Sequence, residues 1–302
     1  MDSRLPKQAL GQVAGMTEVF FMAFYNPNRS SNWNYGGSNW KLSRSKIDLF
    51  RQCGRCFYID NKLGTKRPSM PSFEINKAVD NQLKQEFDVY RSNGEQHPLQ
   101  QEYGIDAKPA PHKLLDTWRE NFEGVQAVHK PTGLLVSGAI DDLWINSKGE
   151  YIVVDYKATA KTEPVTKLDS QWHEAYRRQI EVYQWLLRQN GLKVLDTGYF
   201  VYCTGKYDQK SFDKVIEFDV VLISYQGSDT WVEGTLLEIK KCLDGSQIPK
   251  AGKNCEYCLW WDARSKYEQS EVEIKATPSV KLVAKPKAHK VAKKKTDGAT
   301  LF

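Results

Sequence analysis

Two apolar runs stand near the middle of this 302-residue chain. Ala139, Ile140, Leu143, Trp144 and Ile145 form the first, and Tyr151 to Val154 the second, with Ser147-Lys148-Gly149 between them. Short apolar runs flanking a three-residue connection that ends in glycine predict a β-hairpin, its glycine in the left-handed position. The hairpin lies within Ser137–Lys157. In its register Asn146 faces Glu150, and counting outward sets Asp141 opposite Asp155. Asp155 and Lys157, two apart, share a strand face, so Asp141, Asp155 and Lys157 converge on one patch. A slip of one residue would separate them.

Helical periodicity marks several other stretches. In 170–190, Trp172, Tyr176, Ile180, Tyr183 and Leu187 recur at helical spacing, with Ser170 as N-cap and Gly191 as stop. In 73–91, Ile75, Val79, Leu83, Phe87 and Tyr90 predict a buried stripe. In 41–63, Ser43 caps a helix with Ile47, Leu49 and Phe50 inside. A short helical piece near 114–122, strands at 198–203 and 214–225, and a helix at 230–243 complete the reading. Met16–Tyr25 reads as a short strand or helix. The loop 26–39 carries Trp33 and Tyr35 among asparagines and Arg29, aromatics that either stack on bases or pack onto the domain surface. The element order predicts an α/β fold, a mixed β-sheet flanked by helices.

Composition narrows the class. Hydrophobic residues at 40% and charged residues at 26% are ordinary globular values. No apolar run reaches the ~18 residues of a membrane helix. Val19–Tyr25 is too short for one and lacks a basic flank, so the expectation is a cytoplasmic protein without a secretory signal. Eight of the 43 Lys and Arg lie in 275–295, a stretch with no acid, so the net charge of +6 belongs to the C-terminal end and the body is near neutral. The organisation expected is an N-terminal extension at 1–40, one domain at 41–268, and a disordered lysine-rich tail at 269–302. Lys293, Lys294 and Lys295 in that tail would hold DNA phosphates without sequence preference, or merely aid solubility.

The converging charges carry the first candidate chemistry. Two carboxylates a cross-strand distance apart, ~5 Å, repel unless a cation sits between them. Magnesium takes one or two carboxylates and keeps water and phosphate oxygens as its other ligands. Lys157 would then orient a water or offset phosphate charge. The plain alternative is a hairpin with a structural Asp–Lys ion pair.

Cysteines carry the second. Cys53 and Cys56 form one C-x-x-C, Cys255 and Cys258 another. Two such knuckles present four thiolates, enough for a tetrahedral metal site that staples the N-terminal and C-terminal parts of the domain. Disulfides are not expected in a cytosolic chain. Cys203 and Cys242 read as small buried hydrophobes.

An acid, a D-x-K strand, then a helix with Q-x-x-x-Y resembles the PD-(D/E)XK nuclease superfamily, in its RecB-type branch, which includes CRISPR-associated exonucleases. The matching residues are Gly138-Ala-Ile-Asp141, Asp155-Tyr-Lys157 and Gln179-x-x-x-Tyr183. The resemblance implies a restriction-endonuclease-like core and a metal-dependent DNA nuclease, an exonuclease of repair, recombination, or phage- or CRISPR-type DNA processing. It implies magnesium or manganese on Asp141, Asp155 and the Tyr156 carbonyl, with Asp80 where the branch often has a histidine. Lys157, Gln179 and Tyr183 complete the catalytic set, and a helicase or recombination partner is implied. Several such nucleases hold a 4Fe–4S cluster through one N-terminal and three C-terminal cysteines. Ser43 to Tyr58 resembles the first part of that pattern, but no cysteine follows Cys258. A two-plus-two set results, and zinc stays open beside the 4Fe–4S cluster. The terminal Leu301-Phe302 resembles peptides that dock bacterial sliding clamps, without their usual glutamine. A catalytically silent, cysteine-stapled DNA-binding adaptor and a nuclease acting on RNA are the competing readings.

Overall fold

The computed structural model describes residues 28–68 and 73–269. In chain order it holds β1 (Leu42–Ser43), α1 (Arg44–Gln52), α2 (Gly54–Asn61), α3 (Glu74–Asn93), α4 (Pro98–Glu102), β2 (Lys108–Pro109) and α5 (Leu115–Arg119). There follow β3 (Val125–His129), β4 (Leu134–Gly138), β5 (Asp142–Ile145), β6 (Tyr151–Ala160), α6 (Glu174–Gln189), β7 (Thr197–Gly205), β8 (Phe218–Gln226), α7 (Thr230–Asp244) and α8 (Glu256–Gln269). The described residues up to Leu259 belong to one compact unit.

Two sheets form the frame. The larger has the order β2-β5-β6-β7-β8, and the smaller β1-β4-β3. Both are mixed: β6 and β7 run parallel, as do β1 and β4, while the other pairs are antiparallel. This is the expected α/β class, a mixed-sheet core flanked by helices, and the four cysteines bring its N-terminal and C-terminal parts together.

Strand alternation sorts the larger sheet's side chains into two cores. Leu143, Val153, Phe200 and Ile223 face a cluster with Ile180, Tyr183, Leu186 and Leu187 of α6. Trp144, Ile152, Val154, Tyr156 and Val201 face the other way, against Phe87 of α3. The sheet is therefore covered by α6 on one side and α3 on the other. The same parity turns Asp155 and Lys157 toward α6, and Tyr156 and Asp142 toward α3.

The hairpin has the expected register, Asp142↔Val154 through Ile145↔Tyr151. The Asn146 N–H bonds to the Glu150 carbonyl at 3.0 Å, and Gly149 takes φ 72°. Its outer end differs from expectation. Ser137 and Gly138 belong to β4 in the other sheet, and the chain crosses between sheets at Ala139–Asp141. Asp141 thus sits on a crossover just before β5, one residue beyond the last paired position, and reaches β6 through its side chain, which accepts the Tyr156 N–H.

Other boundaries also shift. The helix expected from Ser170 begins instead with a 3-10 turn at Gln171–His173, and Ser170 Oγ bonds to His173 Nδ1 rather than to backbone. That turn changes the helical phase, and Trp172 is 85% exposed rather than on the buried stripe. In α3 only Phe87 of the expected stripe is fully buried, and Ile75 is exposed. β8 begins at Phe218, after a turn in which Asp213 and Lys214 take positive φ. Ser43 does cap α1, its side chain accepting from the Lys46 N–H. Tyr35 and Trp40 pack against the main core, Trp40 donating to Asn61 Oδ1 at 3.1 Å and Tyr35 to Asp244 at 2.7 Å. Cys203 is buried and Cys242 half-buried. Met16–Tyr25 lies outside the described residues.

Candidate active site

Asp155 lies at the centre of β6 and is fully buried. Its one charged contact is with the Lys157 ammonium, which meets Oδ2, and neither carboxylate oxygen makes a hydrogen bond of good geometry. Burial, with the Asp141 charge adding to it and Lys157 offsetting only part, pushes this carboxyl up to about 7. Burial alone would pull the Lys157 pKa down. The charges of Asp155 and Asp141 outweigh it and hold the ammonium above its usual range.

Asp141 reaches the same patch from the crossover. Its Oδ2 accepts the Tyr156 backbone N–H at 3.0 Å, and its own carbonyl accepts from Arg119 Nε at 3.0 Å. A strand residue sends its N–H and C=O to the same side, so the Tyr156 carbonyl faces the Asp141 edge as well. Asp80 arrives from α3. Lys84 bridges it to Asp141, at 2.7 Å from Asp80 Oδ2 and 3.7 Å from Asp141 Oδ1. Burial and the Asp141 charge raise the Asp80 pKa, against the pull of Lys84.

Helix α6 supplies the wall. Gln179 is buried, donates from Nε2 to Tyr183 Oη at 3.1 Å, and presents Oε1 to Lys157 Nζ at 3.5 Å. Tyr176, one turn earlier, lies with its ring centroid 4.8 Å from the Lys157 ammonium. A Cβ on Gly138 would stand 2.7 Å from the Tyr183 ring, so glycine is what lets β4 approach α6 here.

The structure therefore brings Asp141, Asp155, Lys157, Gln179, Tyr183 and Asp80 into one neighbourhood. Sequence reading missed several neighbours. Tyr176 was legible as the residue one turn before Gln179, and Lys84 as Asp80's partner four residues on. The support beneath Asp141 was not legible: buried Asp142 accepts from Arg91, from Arg119 at 2.9 Å and from the Tyr156 hydroxyl at 2.7 Å. Arg119 also pairs with Asp88 at 2.8 Å, which ties α3, α5 and β5 together.

Divalent-metal ligation fits these residues. Asp155 Oδ1 and Asp80 Oδ1 are buried and lack hydrogen-bond partners, and Asp155 Oδ2 has the Lys157 ammonium alone. A buried carboxylate oxygen left unpaired is costly, and a hard cation with oxygen ligands would satisfy it. Two ammonium groups, Lys84 and Lys157, stand among the acids.

A second cluster lies elsewhere. Cys53, Cys56, Cys255 and Cys258 are all buried, with their sulfurs within 4.8 Å of one another. Among the described residues this is the one group of three or more metal-ligating side chains gathered so tightly. Lys293, Lys294, Lys295, Leu301 and Phe302 lie outside the described residues. Among those described, no helix is long and apolar enough to cross a membrane.

A solved crystal structure, that of SSO0001, aligns with a TM-score of 0.37 and 15% identity over 74% of this chain and 84% of its own. No curated protein matches the chain. Residues 74–263 match the family model of the PD-(D/E)XK nuclease superfamily, a span that contains Asp80, Asp141, Asp155, Lys157, Gln179 and Tyr183. Members of that superfamily are generally phosphodiester-hydrolysing, divalent-metal-dependent nucleases. The chain belongs to the PD-(D/E)XK nuclease superfamily.

Proposed function

We propose that this protein is a magnesium- or manganese-dependent deoxyribonuclease of the RecB-type branch, acting as an exonuclease in DNA repair, recombination or the processing of foreign DNA. The observation that carries the reading is the meeting of Asp141 and Asp155 beside Lys157, with Asp141 bonded to the Tyr156 N–H, Asp155 Oδ1 buried and unbonded, and Asp155 Oδ2 met by Lys157 alone. The working domain is taken as 41–268, located in the cytoplasm, with the tail from 269 assisting DNA retention through Lys293, Lys294 and Lys295.

Asp141, Asp155 and the Tyr156 carbonyl, with Asp80 at the rim, are the residues that would hold the metal. When bound, the ion supplies a nucleophilic water at neutral pH and offsets charge on the scissile phosphate. The chain's own groups do the positioning. The Tyr156 N–H occupies Asp141 Oδ2 and so orients that carboxylate. Lys157 stays charged between two acids and donates toward the water or the phosphate oxygen that gains charge. Gln179 and Tyr176 restrict the ammonium, and Tyr183 restrains Gln179. A silent adaptor would have no use for this arrangement of buried charge.

The test is hydrolysis of end-labelled single- and double-stranded DNA, and of RNA, with magnesium, manganese or EDTA, using the full chain and Asp155→Ala. Metal-dependent release of short products from DNA ends, lost in Asp155→Ala, is the expected result. Cleavage of RNA alone would move the substrate. DNA binding without cleavage by a folded chain would favour the adaptor.

A further inference from the structure

We propose that the four-cysteine site holds a single tetrahedrally coordinated zinc ion and not an iron–sulfur cluster. The proposal stands apart from the acid–lysine site and does not depend on its reading. The sulfur spacing decides between the two groups. Cys56 Sγ lies 3.5 Å from Cys258 Sγ and 3.6 Å from Cys255 Sγ, and Cys53 Sγ lies 3.7 Å from Cys258 Sγ. No pair exceeds 4.8 Å. Four thiolates sharing one zinc at ~2.3 Å make a tetrahedron with edges of about 3.8 Å. In a four-iron cluster each thiolate caps its own iron at a corner of the cube, which sets the sulfurs roughly 6 Å apart. A two-iron cluster keeps two thiolates together on each iron but separates the pairs by a similar roughly 6 Å. The observed quartet is too compact for either and matches one ion.

The surroundings are built for thiolates rather than for four packed thiols. Each C-x-x-C opens a helix, Cys53 as the N-cap of α2 and Cys255 just before α8, so the knuckles sit where helix dipoles favour negative charge. Cys53 Sγ accepts the Gly252 N–H at 3.2 Å and the Cys56 N–H at 3.5 Å. Gly252 reaches it because it has no side chain: a Cβ there would stand 2.2 Å from the Gln52 carbonyl oxygen. The Arg67 guanidinium donates to Cys255 Sγ at 3.2 Å and lies over the Tyr257 ring, a fixed cation beside a site whose four thiolates leave zinc with net negative charge. Closing the site links 53–56 to 255–258, about two hundred residues apart in the chain, so the ion acts on folding.

The experiment is metal and sulfide analysis of the full chain, purified without oxygen from cells supplied with both iron and zinc, together with its visible spectrum. Expected are about one zinc per chain, no acid-labile sulfide, and no visible absorption. The metal-free chain should regain zinc tightly and yield tetrahedral cobalt(II) bands when cobalt replaces it. Asp155→Ala should keep its zinc, which separates this result from any failure of the nuclease reading, whereas Cys56→Ser should lose it. A brown protein with iron and sulfide in equal amounts would overturn the proposal. So would one iron without sulfide, or four freely reactive thiols with no metal.

Discussion

Gly138 and Tyr183 touch so closely that a methyl group cannot come between them: a Cβ on Gly138 would lie 2.7 Å from the Tyr183 ring and 3.2 Å from Leu186. Gly138→Ala is therefore expected to push α6 away from β4. The loss should be about 1–3 kcal/mol of stability, as for other overpacked cores, with reduced cleavage because Gln179 moves with Tyr183. Gly234, inside α7 with nothing within 4 Å of its Cβ position, is the contrast. Gly234→Ala should stabilise by about 0.5–1 kcal/mol. Urea denaturation of both variants measures this, and equal effects would refute the packing argument.

Two adjacent aspartates should respond in opposite ways. Asp142 is buried and holds Arg91, Arg119 and the Tyr156 hydroxyl. Asp142→Ala removes one of two acidic partners from each buried arginine, Asp88 remaining, and leaves the Tyr156 hydroxyl unpaired, so it should destabilise by about 1–3 kcal/mol. Asp141 has one backbone hydrogen bond and a carboxylate facing other acids. Asp141→Ala should leave the melting temperature close to normal while abolishing cleavage. Thermal unfolding beside a nuclease assay checks the pair, and a collapsed Asp141→Ala with an intact Asp142→Ala would reverse the roles.

What the sequence reveals about this site is what is local or chemically unmistakable. The hairpin register follows from a loop of three residues and a strict period of two, so Asp141 and Asp155 could be matched by counting alone. The cysteine site spans two hundred residues yet was legible, because only thiolate chemistry makes sense of two C-x-x-C knuckles. The small sheet was not. It joins the two-residue β1 to β4, whose partners Leu42 and Val136 are far apart in the chain, and so short a strand leaves no periodic trace. Asp142's place in an ion network also depended on α3 and α5 arriving from elsewhere. Trp172 shows how a local irregularity defeats counting: one 3-10 turn rotated it off the stripe.

Metal should stabilise the fold as well as serve cleavage. Asp155 and Asp80 bring buried carboxylate oxygens without hydrogen-bond partners up to Asp141. A divalent ion that binds only the folded chain adds about 2.7 kcal/mol at a hundredfold excess over its dissociation constant. Magnesium or manganese should therefore raise the melting temperature of the wild-type chain and leave Asp155→Ala nearly unchanged, when zinc at the cysteine site is kept constant. An equal rise in both proteins would place the binding elsewhere.

Gln179 and Tyr176 should affect the reaction through Lys157 rather than through binding of DNA. Gln179 faces the ammonium at 3.5 Å and Tyr176 lies under it at 4.8 Å. Lys157→Ala should abolish cleavage. Gln179→Ala leaves the ammonium free to rotate and should reduce kcat by roughly 10–100-fold, the usual scale for a group that orients another, with KM for DNA little changed. Tyr176→Phe keeps the ring face and should be close to wild type, whereas Tyr176→Leu should lose several-fold. Steady-state kinetics on a short labelled duplex separates the two parameters. A rise in KM at constant kcat would make Gln179 a contact to the substrate strand, and the lysine would then need a different support.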